Sequence, residues 1–68
     1  MIRIRINGED RSMASTTTVR SLVAEVVEDP NVRGIAVARN GEVVPRGSWD
    51  EVILAGDEIE IVKAVQGG

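Results

Sequence analysis

The sequence contains no cysteine and no histidine, and these two absences narrow the chemistry it can carry. Without cysteine there are no disulfides and no thiolate metal ligands, so 68 residues must be held together by an aliphatic core. The commonest general base and the strongest side-chain nucleophile are also missing. A paired-carboxylate site is the alternative, but we interpret the 11 Asp and Glu residues as solvated surface charges. We therefore expect one small domain that is not an enzyme.

Aromatic residues, basic clusters and long apolar runs are scarce as well. Trp49 is the only aromatic residue, and eight basic residues against 11 acidic ones give a net charge of −3. Nucleic-acid binding needs a clustered basic face, which this balance argues against. No apolar run approaches the roughly 20 residues that span a bilayer, and no signal peptide is recognisable. We expect a soluble cytoplasmic protein that binds neither nucleic acid nor membrane.

Strict alternation predicts that the chain begins with a β-hairpin. Residues 2–6 alternate isoleucine with arginine, which is typical of a strand buried on one face. Asn7-Gly8 follows, the strongest short hairpin signal. The returning strand is expected near residues 10–14, with Met13 facing inward.

A helix is predicted after the threonines at positions 16–18, whose hydroxyls can cap its N-terminus. Its apolar residues fall on one stripe, formed by Val19, Leu22, Val23, Val26 and Val27. Pro30 is expected to close the helix, because the residue before a proline avoids the α region. Glu28 and Asp29 oppose the helix dipole near that end, which predicts fraying.

A second Asn-Gly hairpin and one more strand complete the predicted fold. The expected elements are a strand over 34–39, a return over 42–44, a helical turn over 50–52 and a last strand with Ile59 and Ile61 inward. The fold class is α+β: a mixed five-stranded sheet packed on one helix in the order β-β-α-β-β-β, which is the β-grasp or ubiquitin-like arrangement.

The predicted sheet places its first and last strands side by side. Arg3 and Arg5 would then share the open face with Glu58 and Glu60, and opposite charges across strands contribute on the order of 0.2–1 kcal/mol per pair. Residues 1–63 are expected to form the domain and residues 64–68 a flexible C-terminal tail.

The tail ends in two glycines, an ending expected by chance in about one chain in 200. Glycine has no Cβ, so Gly67-Gly68 can enter a channel too narrow for other residue pairs. Five extended residues reach at most about 17 Å, which is enough to place a terminus in a partner's active site. We expect Val65, Gln66 and Gly67 to occupy that channel and the Gly68 carboxylate to be modified. A frayed end without a role is the alternative.

Several stretches of the chain are similar to one known family over essentially the whole length. The ThiS family of bacterial sulfur carriers resembles this chain at Thr18–Val23, at Asn40–Arg46 with Trp49, at Leu54–Ile61 and at Ala64–Gly68. The NGEVVPR and AVQGG stretches are fairly specific, whereas LAGDEIEI is shared more widely among ubiquitin-like sulfur carriers. Arg39 departs from the family pattern, which often has an aliphatic residue at that position.

This resemblance implies that the chain is a carrier in thiamine biosynthesis. An E1-like adenylyltransferase would use ATP and Mg²⁺ to convert the Gly68 carboxylate into an acyl-adenylate. Sulfur from a cysteine desulfurase or a sulfur relay protein would displace AMP and leave a thiocarboxylate, which would deliver sulfur to thiazole synthase. The carrier itself is expected to bind no cofactor and no metal.

A docking surface for the activating enzyme is expected on the open sheet face. Ala36 and Ala38 face away from the helix if their strand neighbours face toward it, and Val62 is a candidate neighbour. Trp49 is a further candidate, since tryptophan is enriched in interface hot spots. We favour the alternative that Trp49 packs across a loop beside Pro45.

Other functions remain open at this stage. A sulfur carrier of another pathway, such as the small subunit of molybdopterin synthase, would resemble this chain in fold and tail. Those proteins tend to be longer and richer in phenylalanine, which this chain lacks. A ubiquitin-like modifier would form lysine-linked chains only through Lys63, the single lysine. A plain interaction domain with an inert tail is the last alternative.

Overall fold

The computed structural model describes residues 1–27 and 34–63 of the chain. In chain order its elements are β1 (Ile2–Ile6), β2 (Glu9–Met13), α1 (Val19–Val26), β3 (Ile35–Arg39), β4 (Glu42–Val43), a 3₁₀ turn (Arg46–Ser48) and β5 (Glu58–Lys63). The five strands form one sheet in the order β2-β1-β5-β3-β4. β1 and β5 run parallel, while all other neighbours run antiparallel. The predicted fold class and the pairing of first and last strands are confirmed.

Both Asn-Gly pairs form the predicted hairpin turns. Asn7 and Asn40 have φ angles of 51° and 52°, and the glycines that follow them have 84° and 85°. Positive φ at both central residues is what a type I′ turn requires. The second strand starts one residue earlier than expected, at Glu9, and Met13 is half-buried against the core as predicted.

α1 begins at the predicted threonines and ends earlier than expected. The Ser21 N–H donates to Thr18 Oγ1 at 3.1 Å and the Thr18 N–H donates to Ser21 Oγ at 3.0 Å, a reciprocal capping box. The helix stops at Val26, because Val27 is already extended and packs into the core. Its valines, whose β-branched side chains lose rotamer freedom in a helix, favour this early end. The predicted closure at Pro30 and the expected fraying fall on residues 28–33, outside the described residues.

The core lies between α1 and one face of the sheet. Its least exposed large side chains are Ile4, Leu22, Ile53, Ile59, Val19 and Val37. The predicted helical turn at residues 50–52 is wrong, since the 3₁₀ turn lies at Arg46–Ser48. Val52 instead forms a β-bridge with Thr18, and the Ile53 N–H donates to the Thr17 carbonyl at 2.9 Å. This extended pairing beside the helix start brings Ile53 into the core. None of the described helices is long and apolar enough to cross a membrane.

A buried ion pair joins the second hairpin to the segment that precedes β5. Arg39 donates to Asp57 Oδ2 through Nε at 2.8 Å, and its Nη2 lies 2.7 Å from the same oxygen. The Leu54 N–H also donates to Oδ2 at 2.8 Å, and Asn40 Nδ2 donates to Oδ1 at 3.1 Å. Asn40 Oδ1 in turn accepts from the Glu58 N–H at 2.9 Å. A carboxylate that is 6% exposed therefore holds one end of β5 against the β3–β4 hairpin.

This environment shifts the pKa of Asp57. Burial by itself would raise the pKa, but hydrogen bonds from Leu54, Asn40 and Arg39, together with the charge of Arg39, outweigh it and lower the pKa below its ordinary value of 3.8. A carboxyl group with a lower pKa in the folded state stabilises the fold above its ordinary pKa. This contribution is lost as the pH falls from that value through the folded-state pKa.

Replacing Asp57 with asparagine tests this network. Asp57→Asn should lower the free energy of unfolding near neutral pH by about 1.5–3 kcal/mol, the usual contribution of hydrogen bonds to a charged group. The difference from wild type should shrink as the pH falls below 3.8 and through the folded-state pKa, because the carboxyl then becomes protonated. Urea unfolding followed by Trp49 fluorescence measures both effects.

The matched control for this prediction is Asp50→Asn. Asp50 pairs with Arg20 at 2.9 Å, but its side chain is 79% exposed. An exposed pair of this kind contributes less than about 1 kcal/mol, so the control should stay close to wild type. A loss in Asp57→Asn that does not change with pH would contradict the electrostatic account.

Candidate functional site

Only the sheet portion of the predicted site can be located. Val65, Gln66, Gly67 and Gly68 lie outside the described residues, and so does the predicted tail as a whole. Their roles therefore stay predictions. The last described residue is Lys63, at the end of β5. The sheet face beside this point is the part of the site whose geometry can be described.

Four apolar side chains lie together on the sheet face opposite α1. Ala36 lies directly opposite Val62 across β3 and β5, and Ala38 lies directly opposite Val43 across β3 and β4. We call these residues the apolar strip. Val62 is 56% exposed and Val43 is 76% exposed. The predictions that Ala36 and Ala38 face away from α1 and that Val62 is their neighbour are confirmed. Exposed apolar side chains that lie side by side are typical of a surface that a partner covers.

Val43 is the member of the strip that the sequence interpretation missed. Its neighbour Val44 is 9% exposed and belongs to the core. Because side chains alternate along a strand, a buried Val44 requires Val43 to face the other way. The sequence therefore contained the signal, but the predicted strand over 42–44 was not assigned an inner and an outer face.

The other half of this sheet face is charged. The register places Arg5 opposite Glu58, yet among the described residues no ion pair joins Arg3 or Arg5 to Glu58 or Glu60. The predicted shared face is thus confirmed for Arg5 and Glu58, but the expected ion pairs do not form among the described residues. Arg5 Nε instead lies 3.6 Å from an Asp10 carboxylate oxygen, because the antiparallel register of β1 and β2 puts Asp10 directly opposite Arg5. Glu58 and Glu60 are exposed and lie beside the apolar strip, with Glu60 directly opposite Ala38.

Trp49 does not belong to an exposed docking surface, and its assignment to one is wrong. The residue is 5% exposed and belongs to the core. Its indole Nε1 donates to the Val44 carbonyl at 3.1 Å, and the Arg46 guanidinium carbon lies 5.0 Å from the ring centroid. The only large aromatic side chain is therefore used to pack the loop after β4, as the favoured alternative held.

Arg39 departs from the family pattern, but its side chain does not lie on the face that carries the apolar strip. It follows Ala38 in β3 and so points to the opposite side of the sheet, where it binds Asp57. A cleft of about 590 Å³ lies around this ion pair, at the end of β5 farthest from Lys63. Within residues 1–27 and 34–63, no group of three or more acidic side chains is placed to hold a metal ion.

Comparison with known proteins identifies relatives of this chain. A sequence profile of the ThiS family matches residues 4–68. The thiazole synthase of Paramagnetospirillum magneticum is 40% identical over 68 residues, and that of Magnetococcus marinus is 35% identical over 68 residues. Each match covers 98% of this chain and 20% of the relative. The chain therefore spans about a fifth of the length of the curated relatives it matches.

Two solved structures from Geobacter metallireducens have the same fold. The crystal structure of its thiamine biosynthesis protein ThiS has a TM-score of 0.77, and an NMR structure of a thiamine biosynthesis protein from that organism has 0.76. Both are 24% identical and cover 98% of this chain, with 100% and 88% of those chains covered. At this identity the likeness concerns the fold, which agrees with the β-grasp assignment. Because the family profile covers nearly every residue, the chain belongs to the ThiS family.

Proposed function

We propose that the protein is a sulfur carrier of thiamine biosynthesis whose working group is the Gly68 carboxylate. The observation that supports this most is the match of the ThiS family to residues 4–68, which includes the Gly67-Gly68 ending. The two curated relatives contain a similar region within chains named thiazole synthase. Delivery of sulfur to a thiazole synthase is the proposed use of the carrier.

The proposed chemistry follows from the properties of a carboxylate. A carboxylate is a poor electrophile, because it is anionic and has no good leaving group. An E1-like adenylyltransferase using ATP and Mg²⁺ would join the Gly68 carboxylate to AMP and release pyrophosphate. The terminal sulfur of a persulfide, formed by a cysteine desulfurase or carried by a sulfur relay protein, would then attack the carbonyl carbon and displace AMP. A second thiol would release the thiocarboxylate by taking the other sulfur into a disulfide.

In this proposal the carrier contributes a docking surface and a tail that extends into the partner's active site. The apolar strip is the docking surface for the activating enzyme, with Val43 added to Ala36, Ala38 and Val62. Lys63 directly follows Val62, so the tail starts at the strip. Because five extended residues reach at most about 17 Å, the Val62 end of the docked strip must lie within about that distance of the active site. Glu58 and Glu60 border the strip, so the complementary partner surface is apolar with basic residues along one side.

Intact-mass spectrometry tests the carrier function. After incubation with ATP, Mg²⁺, an E1-like enzyme and a sulfur donor, the wild-type mass should rise by the difference between sulfur and oxygen. Gly68→Ala should show no gain, because the added methyl group does not fit a channel shaped for Gly-Gly. Gly47→Ala is the matched control and should load like wild type, since a Cβ at Gly47 meets nothing within 4 Å.

Each other outcome of this experiment has a definite meaning. An unchanged wild-type mass with every activating enzyme would contradict the carrier function and leave the plain interaction domain. Adducts on lysines of other proteins would favour the ubiquitin-like modifier. If the loaded carrier is then offered to each acceptor system, sulfur transfer to a molybdopterin precursor instead of a thiazole would indicate the other carrier pathway. Full loading of Gly68→Ala would contradict the narrow-channel argument.

A charge placed in the apolar strip tests the docking surface. Val62→Glu should weaken binding to the activating enzyme at least about tenfold, because an unpaired carboxylate would be buried against an apolar partner surface. Ser12→Glu is the control, since Ser12 lies on the same sheet face but on the edge strand β2, opposite Arg3. Calorimetric titration measures both affinities. Equal weakening by the two variants would show that the strip is not the contact.

A further inference from the structure

β5 pairs with both β1 and β3, but over different lengths. β3 pairs with β5 as far as Lys63, the last residue of the strand. β1 pairs only with Glu58 and Ile59, because the chain turns away at Asn7 to begin the first hairpin. In the part of the chain that the structure describes, the second half of β5 therefore has a strand partner on one side only.

The side chain of Asn7 takes the place of a strand on the other side. The Asn7 N–H donates to the Ile59 carbonyl at 2.9 Å, continuing the main-chain ladder of β1 and β5. The Ile61 N–H then donates to Asn7 Oδ1 at 2.9 Å, and Asn7 Nδ2 donates to the Ile61 carbonyl at 3.4 Å. A carboxamide has the same donor and acceptor groups as a peptide unit. Asn7 thus presents to Ile61 what a longer β1 would have presented.

Asn7 can do this while its own backbone turns away. Its φ of 51° is the positive value that the type I′ turn requires, and asparagine is one of the few residues besides glycine that adopt it readily. The second hairpin offers a direct comparison. Asn40, with a φ of 52°, bonds the main chain of Glu58 at the first residue of β5. The two turn asparagines therefore hold β5 at two different points from its two sides.

The position of the Asn7 contact matters because Ile61 lies two residues before the end of β5. Two residues of a strand span about 7 Å. Past Ile61 the described part of β5 is held through β3 alone. Among the described residues, the Asn7 side chain thus makes the hydrogen bonds on the β1 side that lie nearest to Lys63.

We propose that Asn7 is a positioning residue for the C-terminus, an inference that rests on the proposed carrier function. By bonding both main-chain groups of Ile61, Asn7 sets the direction in which β5 runs to Lys63 beside the docked strip. A partner then meets the end of β5 in a constant position and direction, which reduces the ordering needed on binding. Loss of the carboxamide leaves the Gly68 carboxylate unchanged but lowers the fraction of encounters in which it reaches the active site.

Two matched glycine variants test this proposal. Asn7→Gly and Asn40→Gly each remove a carboxamide and keep a residue that adopts positive φ. In Asn7→Gly the amide hydrogen of Ile61 should exchange about fivefold faster, the factor expected from one ordinary hydrogen bond. In Asn40→Gly the Glu58 amide should exchange faster and Ile61 should not. Hydrogen exchange followed by NMR distinguishes the two amides.

The kinetic test uses the adenylation reaction with each full-length variant as substrate. Asn7→Gly should raise KM about fivefold with kcat unchanged, because fewer encounters are productive while the chemistry of bound Gly68 is the same. Asn40→Gly should keep wild-type KM. Thermal unfolding of both variants verifies that reactions are run well below either transition, so that a general loss of stability does not produce the difference.

The possible failures are distinguishable. If wild type is adenylated and Asn7→Gly has the wild-type KM, the positioning role is wrong and the carrier function stands. If Asn40→Gly shows the same rise in KM, the effect is a general one of the hairpins and the positioning role is also wrong. If wild type is never adenylated, the carrier function itself is overturned, and the positioning role falls with it.

Discussion

The parallel pairing of β1 with β5 is the contact on which the rest of this structure depends. It places Ile6 directly beside Ile59. Together with Ile4 and Ile61, these side chains belong to the same buried core as the inward residues of α1. Each hairpin alone would be a two-stranded ribbon of little stability. Because the chain has no cysteine, no disulfide can cross-link the two hairpins. The pairing joins them through a shared core instead.

The same pairing organises the surface used in the proposed function. Because β5 is central in the sheet, its outward residues separate a charged half, built by β1 and β2, from an apolar half, built by β3 and β4. Val62 lies in the apolar half and directly precedes the last residue of β5. The proposed docking surface therefore lies beside the end of β5. A partner that covered the apolar strip would lie next to Lys63, the last described residue of β5.

The sequence predicted much of this fold, and its errors have identifiable causes. Alternation and Asn-Gly pairs located the strands because both features depend on residues close together in the chain. The helical turn expected at residues 50–52 was wrong because Val52 pairs with Thr18, far away in sequence. The expected ion pairs of Arg5 with the last strand failed because Asp10, its antiparallel partner, competes for the same guanidinium. Trp49 was correctly interpreted as a packing residue, but it was wrongly retained among the docking residues.

By itself the sequence determined the fold class, the family resemblance and the faces of β3, since local periodicity and turn chemistry act over a few residues. Only the tertiary structure decided which polar groups meet. Asn7 bonds Ile61, 54 residues away, and Arg39 bonds Asp57, 18 residues away. Sequence pattern marked Asn7 and Asn40 as turn residues because that role depends on their own φ angles. Their second role, holding β5 through side-chain carboxamides, depends on which strand arrives beside them, and only the packed sheet settles that.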